Sequence, residues 1–268
     1  MISNKKINWY PTIYIISMHL LALLGIFFFT WKALWVCLLL HWVTGCLGIT
    51  LCYHRLLTHN SFKVPKWLEY TLAIIGCMAS QGSPRIWVGT HRLHHANTDV
   101  EGDPHSPVFG FFDSHMGWTF KRSPHIYHLV ANLNSAFYLF LDKVHFLFNI
   151  PLAILLYFWG GWSFVVWGIF VRTIFVWHST WSVNSFAHVW GYTNYKTNDN
   201  SKNNWIVALL TFGEGWHSNH HAFQTSARHG IKWWEYDITF YIIKLLESIG
   251  LATSVKIPVR YILDLKKK

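Results

Sequence analysis

Residues 33–59 read ALWVCLLLHWVTGCLGITLCYHRLLTH. Ala33 to Tyr53 is an apolar run close to the ~20 residues a helix needs to cross a bilayer, and it leads without a break into His54-Arg-Leu-Leu-Thr-His59. A span that ends on two histidines poses two questions for the rest of the chain: where the other spans lie, and whether other histidines gather at the same end.

The preceding run, Thr12 to Thr30, is separated from this one only by Trp31-Lys32, so the two are expected to form a helical hairpin over about 12–53. Val144 to Trp159 and Trp162 to Trp181 make a second hairpin, about 144–181, turning at Gly160-Gly161, with Pro151 blurring its start. Arg172 inside the last run is costly in lipid and is expected to face protein or head groups. Trp67 to Ala79 and Ile126 to Leu141 are apolar but short, and both read as interfacial or buried helices in preference to crossings.

Four crossings place both termini and the segments 54–143 and 182–268 on one side. Lys5, Lys6, Arg55, Lys63, Lys66, Arg85, Arg92, Lys121, Arg122 and Lys266 to Lys268 fall there, against essentially Lys32 on the other. The positive-inside rule makes that side cytosolic. The expectation is an all-α integral membrane protein, one domain over 1–268, with four transmembrane helices under a cytosolic helical cap.

Composition agrees: 52% of residues are hydrophobic and 13% charged, with 17 Trp and 20 Phe, richer in apolar residues than soluble domains usually are. The formal net charge of +10 comes from cations spread between apolar blocks, which argues against nucleic acid and for anionic head groups and an acidic partner protein. Cys37, Cys46, Cys52 and Cys77 lack any C-x-x-C spacing and read as packing residues. The first apolar run is expected to stay in place, since no small-residue cleavage site follows it.

Of 18 histidines, half form four clusters on the expected cytosolic side. In the first, His54 and His59 would stand ~140° apart on an ideal α-helix, so convergence requires the helix to end or bend, which Asn60-Ser61 permits. His91, His94 and His95 in the second, and His217, His220 and His221 in the third, are i, i+3, i+4 sets that can each aim three imidazoles at one volume. Asn184 and His188 are an i, i+4 pair, one a ligand and the other able to hold a metal-bound water.

Nine imidazoles and an amide exceed the needs of one metal and suit two with five or six positions each. Zinc is redox-inert and usually four-coordinate; iron, which activates dioxygen, fits the ligand number. Asp103 and His105 are candidates to support the ligands from behind. His19, His41, His125, His128, His145, His178 and His229 stand alone and read as packed or hydrogen-bonded histidines, with His115 between the two cases.

HRLLTH (54–59), WVGTHRLHH (87–95), DPHSP (103–107), SHMGW (114–118), NSFAH (184–188) and GEGWHSNHH (213–221) together resemble the membrane fatty acyl desaturases of the delta-9 type, in order and spacing, over roughly residues 35–260. The resemblance implies two iron ions held by His54, His59, His91, His94, His95, His188, His217, His220 and His221, with Asn184 acting through water. It also implies dioxygen as co-substrate and a cis double bond placed in a long acyl chain.

Acyl-CoA desaturases usually carry a charged pair before the second box. Here Val88-Gly89-Thr90 stands there, as in the enzymes that resemble acyl-lipid desaturases. No His-Pro-Gly-Gly stretch of a fused cytochrome b5 is present, so electrons are expected from a separate protein, ferredoxin or cytochrome b5. Trp42, Gln81, Trp87, Trp118 and Trp181 are candidates to line the acyl tunnel.

A hydroxylase or ketolase of the same membrane di-iron superfamily is the nearest alternative. A metal transporter is a remote one, because its ligands would lie mid-span.

Overall fold

A computed structural model describes residues 6–121 and 126–259. Lys5, Arg122, His125 and Lys266 to Lys268 lie outside them. Among the described residues the chain is helical, with isolated bridges and no strand.

The Thr30 hydroxyl accepts the Ala33 N–H at 3.0 Å and opens α2 (Trp31–His41), which runs directly into a π-helical stretch, Trp42–Thr58. In a π-helix each N–H reaches five residues back, and the His59 N–H meets the His54 carbonyl at 3.1 Å. The histidine pair therefore converges by unwinding of the ladder upstream, where a bend had been one expectation. A spacing of five becomes nearly one turn, and the two rings lie 4.7 Å apart. The helix then ends where expected, at Asn60, whose φ is 48°.

Among the described residues, three stretches are long and apolar enough to cross a membrane: Trp9–Ile26, made of α1 (Trp9–Ala22) and a 3-10 turn; Trp31–Thr58; and Asn149–Val189. The last comprises α7 (Asn149–Val165), a short π-helical stretch and α8 (Arg172–Val189), and it is not straight. Gly160 and Gly161 leave helical geometry, Gly161 at φ 63°. Asn149 Oδ1 accepts from Arg172 Nη2 at 2.9 Å, two residues that a straight helix would hold about 34 Å apart. The chain thus folds back at the glycine pair.

The first arm begins at Asn149, later than the expected Val144, because His145–Leu147 is a 3-10 turn. Pro151 sits in the first turn of α7, where its missing N–H is not needed. Arg172 faces protein, as expected. It is fully buried and donates to the carbonyls of Gly168 and Met78.

Outward, α1 and α7 present Ile13, Leu20, Ile154, Leu155 and Phe158, while α1 buries only Thr12, Ile15 and Met18. Apolar surface of this extent belongs against lipid. The four cysteines are free and buried.

α3 (Lys66–Met78) is too short to cross and packs on the π-helical stretch. A Cβ on Gly48 would fall 2.7 Å from the Gly76 Cα, and one on Gly76 would fall 2.2 Å from the Tyr53 ring. Gly76→Ala is therefore expected to cost about 1–3 kcal/mol by overpacking, read as a lower thermal midpoint in detergent; an unchanged midpoint would show that the contact yields.

The expected single helix over Ile126–Leu141 is instead broken into a 3-10 stretch, Tyr127–Leu133, and α6 (Ala136–Val144). Asn134-Ser135 lies between them, a pair whose side chains compete with helical hydrogen bonding, and Asn134 Oδ1 accepts from Arg85 at 2.8 Å.

Candidate metal centre

Four elements carry the clustered histidines. His54 and His59 stand at the end of the π-helical stretch. His91, His94 and His95 lie on α4 (Pro84–Asn97), begun by the Ser83 cap and a first-position proline. His188 closes α8, and His217, His220 and His221 form α10 (His217–Ala222).

Arg92 joins the first two elements. Its guanidinium donates to the Leu57 and Thr58 carbonyls at 2.9 and 3.2 Å, groups that a helix end leaves free. The tight loop before α10 explains its glycines: a Cβ on Gly213, at φ 119°, would fall 2.4 Å from Asp237 Oδ1, and one on Gly215 would fall 2.0 Å from the Ala208 N.

All nine histidines converge, but in two groups. His54, His59, His91, His95 and His220 offer ligand atoms within 4.8 Å of one another, and so do His94, His188, His217 and His221. The expectation that each triplet serves one volume is corrected. The i, i+4 pair of each helix faces one group and the i+3 residue the other, so α4 and α10 each span both. Asn184 lies one turn before His188 and lines the adjoining cavity.

The nitrogens suit metal ions. His54 Nδ1 contacts Glu214 at 2.5 Å, so a neutral His54 turns an Nε2 lone pair inward, 3.2 Å from His220 Nε2. His220 Nε2 is also 3.0 Å from His95 Nε2, which is 3.0 Å from His91 Nε2. Each such nitrogen carries one proton or one lone pair, so one hydrogen cannot satisfy two neighbours; a cation satisfies all of them. In the other group His217 and His188 meet Nε2 to Nε2 at 3.0 Å. His59 Nε2 and His221 Nε2 are buried without a partner.

Burial, reinforced by neighbouring imidazoles, holds His59, His91, His95, His217 and His220 well below the usual histidine range. Burial also takes His221 down to about 4, against the pull of Asp199. Their lone pairs are thus available at neutral pH, the state that ligation needs.

Behind four of the rings stands a carboxylate. Asp103 accepts from His94 Nδ1 at 3.0 Å, Asp99 from His188 Nδ1 at 3.2 Å, Asp199 from His221 Nδ1 at 2.9 Å, and Glu214 from His54. Burial works to raise the Asp103 carboxyl, yet the bond to His94 brings it to about 2. The same opposition leaves Asp99, Asp199 and Glu214 below their ordinary values. Four negative charges, each one hydrogen bond from a candidate ligand, match two divalent cations.

Of these carboxylates only Asp103 was anticipated. His105, expected beside it, does lie there: its ring packs 4.4 Å from His94, and its Nδ1 is 3.8 Å from Asp103. The local signal for Asp99 and Glu214 was their proximity in sequence to His95 and His217 in a chain with only 12 acidic residues, and Asp199 carried no such signal.

Arg55 and His229 were also missed. Arg55, fully buried, bonds Glu214 through Nε and Nη2, and Asp237 and the Ala227 carbonyl through Nη1. His229, read as a packing residue, is indeed buried, but it packs against the site, 3.3 Å from Glu214 and with its ring 4.4 Å from that of His220. Of the other solitary histidines, His19, His41, His145 and His178 are hydrogen-bonded or packed as expected; exposed His128 departs from that reading, and His125 lies outside the described residues. His41 stacks on Phe175 at 4.0 Å, and His19, His178 and His115 form a hydrogen-bonded row ending on Ser185.

A cavity of 510 Å³ reaches the centre and touches His91, His105 and Asn184. Gln81, Trp87, Trp118 and Trp181 line it as expected; Trp42 does not. Inside it, Trp87 Nε1 donates to Gln81 Oε1 at 3.0 Å, and Gln81 Nε2 to Thr180 Oγ1 at 2.9 Å.

The family model for fatty acid desaturase matches residues 29–248, a span that holds all nine clustered histidines. The chain belongs to the fatty acid desaturase family. It is 50% identical over 261 residues to an sn-1 stearoyl-lipid 9-desaturase of Anabaena variabilis, covering 95% of this chain and 96% of that one. It is also 50% identical over 260 residues to a chloroplastic palmitoyl-monogalactosyldiacylglycerol delta-7 desaturase of Arabidopsis thaliana, covering 95% of this chain and 70% of that one. An acyl-CoA C20 Delta5-desaturase of Anemone leveillei is 48% identical over 271 residues, covering 95% and 86%. This desaturase is therefore an O2-dependent oxidoreductase that forms a double bond in a fatty acyl chain.

Proposed function

We propose that this desaturase acts on acyl chains esterified in membrane lipids, forming a cis double bond at the delta-9 position. On this reading it crosses the membrane four times, with both termini and the histidine groups in the cytosol. The observation that carries it is the joining of the 510 Å³ cavity to the paired histidine groups at His91 and Asn184. Val88-Gly89-Thr90 before the second box, and the acyl-lipid substrates in the names of several relatives, favour a lipid over a CoA thioester.

Two iron ions fit the donor set, one held by His54, His59, His91, His95 and His220, the other by His94, His188, His217 and His221, with Asn184 holding a water. Iron supplies the power to activate dioxygen and remove hydrogen from a methylene, which no acid or base in the chain can do. The protein's own work is positioning. The apolar walls exclude water from the chain, and the Trp87–Gln81–Thr180 bracket bends it one helical turn from His91, so that only a short stretch of carbons meets the centre. Electrons come from a separate carrier, a ferredoxin or a cytochrome b5.

Expression in a host without desaturases, with lipid products resolved by mass spectrometry, should yield delta-9 monoenes in intact lipids. Hydroxylated chains without alkene would overturn the reading. Asp103→Asn, which keeps the shape but not the charge, is expected to weaken iron retention about 10–100-fold in a chelator challenge read by iron content; unchanged retention would mean that Asp103 does not hold His94 for the metal.

A further inference from the structure

A second depression reaches the same centre from elsewhere. It measures 440 Å³, shares no lining residue with the acyl cavity, and has His221 in its wall. His221 is 7% exposed as a residue and 1% in its side chain, so the cleft meets the four-histidine group at the backbone that carries one of its imidazoles. Phe223, Ile257, Pro258 and Val259 are the apolar part of its lining, and Thr225 and Lys256 also line it.

Lys256 is exposed. So is Lys196, which follows Tyr195, whose ring lies 4.9 Å from Phe223. The acidic group at this edge, Asp199, is engaged by His221. The cleft is also tied to the first histidine box: Lys256 N–H bonds the Ser61 carbonyl at 2.8 Å, and Ala227 N–H the Lys256 carbonyl at 2.7 Å. Its position against the centre is thereby held.

Desaturation needs electrons from outside the substrate: –CH2–CH2– + O2 + 2 e− + 2 H+ gives –CH=CH– + 2 H2O. They must reach a buried centre while the acyl chain fills the first cavity. We propose that the cleft at His221 is the docking surface of an acidic one-electron carrier protein, which binds over its apolar lining with its carboxylates on Lys196 and Lys256 and gives up one electron per visit, two visits per alkene. Small contacts with apolar centres and charged rims suit carriers that must leave again. The proposal rests on the reading above that the electron donor is a separate protein.

The test uses iron-loaded protein in lipid nanodiscs, with a plant-type ferredoxin and the soluble domain of cytochrome b5 as probes. The Lys196→Glu/Lys256→Glu variant should bind the preferred carrier at least about 10-fold more weakly at low salt and lose most of the salt dependence. Lys143→Glu, a charge reversal on α6 outside the cleft, should bind normally. Iron content and the single-turnover alkene yield after dithionite reduction should be unchanged in all of them.

Carrier binding by the double variant equal to that of Lys143→Glu would overturn the docking surface, and so would failure of both carriers to bind the unmodified protein. Absence of alkene from the dithionite-reduced unmodified protein would instead sink the desaturase reading, and this proposal with it.

Discussion

Replacing His220 or His94 by alanine is expected to abolish alkene formation and to remove about one of two irons, each substitution emptying a different position. His220 Nε2 stands between His54 and His95, at 3.2 and 3.0 Å, so its loss opens the middle of the five-histidine group. His94 belongs to the other group, its ring fixed by Asp103. Losing a ligand costs more than the roughly 10–100-fold that losing a ligand's support costs.

Iron per chain, the Mössbauer spectrum of the remaining ion and alkene yield together check the expectation, with exposed His128 replaced by alanine as the control. The two variants should leave spectroscopically different irons. Identical spectra, or two irons retained by either, would refute the division into five and four.

The second large effect is expected at Glu214. Its Oε1 accepts two bonds from Arg55, and its Oε2 meets His54 Nδ1. Glu214→Ala leaves the buried guanidinium with Asp237 and a carbonyl as its partners, and breaking such a pair typically costs about 3–5 kcal/mol. A lower thermal midpoint and poor recovery from membranes should result.

Glu214→Gln is the more discriminating substitution. If its amide nitrogen faces His54, that ring must accept at Nδ1 and carry its proton on Nε2, the atom that faces His220. Folding would then be largely kept while the five-histidine group loses iron. A Gln variant with two irons and full turnover would show that Glu214 serves stability alone.

The histidines were legible because a chemical need overrides local propensity: imidazoles at i, i+3 and i+4 share a helix face wherever the helix lies. Their division between two groups was not, since it depends on how α4 and α10 are rotated against the end of the π-helical stretch. Unwinding of that stretch was equally hidden, as the residues between His41 and Thr58 have no local signature distinguishing a π-helix from an α-helix. Trp42 was misplaced for a related reason: an aromatic near the membrane faces lipid, protein or cavity according to a helical phase that the π-helical turns shift.

Apolar run lengths, the Gly160-Gly161 reversal and the inventory of nitrogen donors were written in the chain itself, because each depends on residues close together in sequence. Tertiary structure alone decided which carboxylate stands behind which ring. Asp99 reaches His188 across 89 positions, and Arg55 reaches Glu214 across 159. In a buried centre every charge needs a partner, and packing chooses the partner from whatever arrives within hydrogen-bond distance, however far along the chain it began.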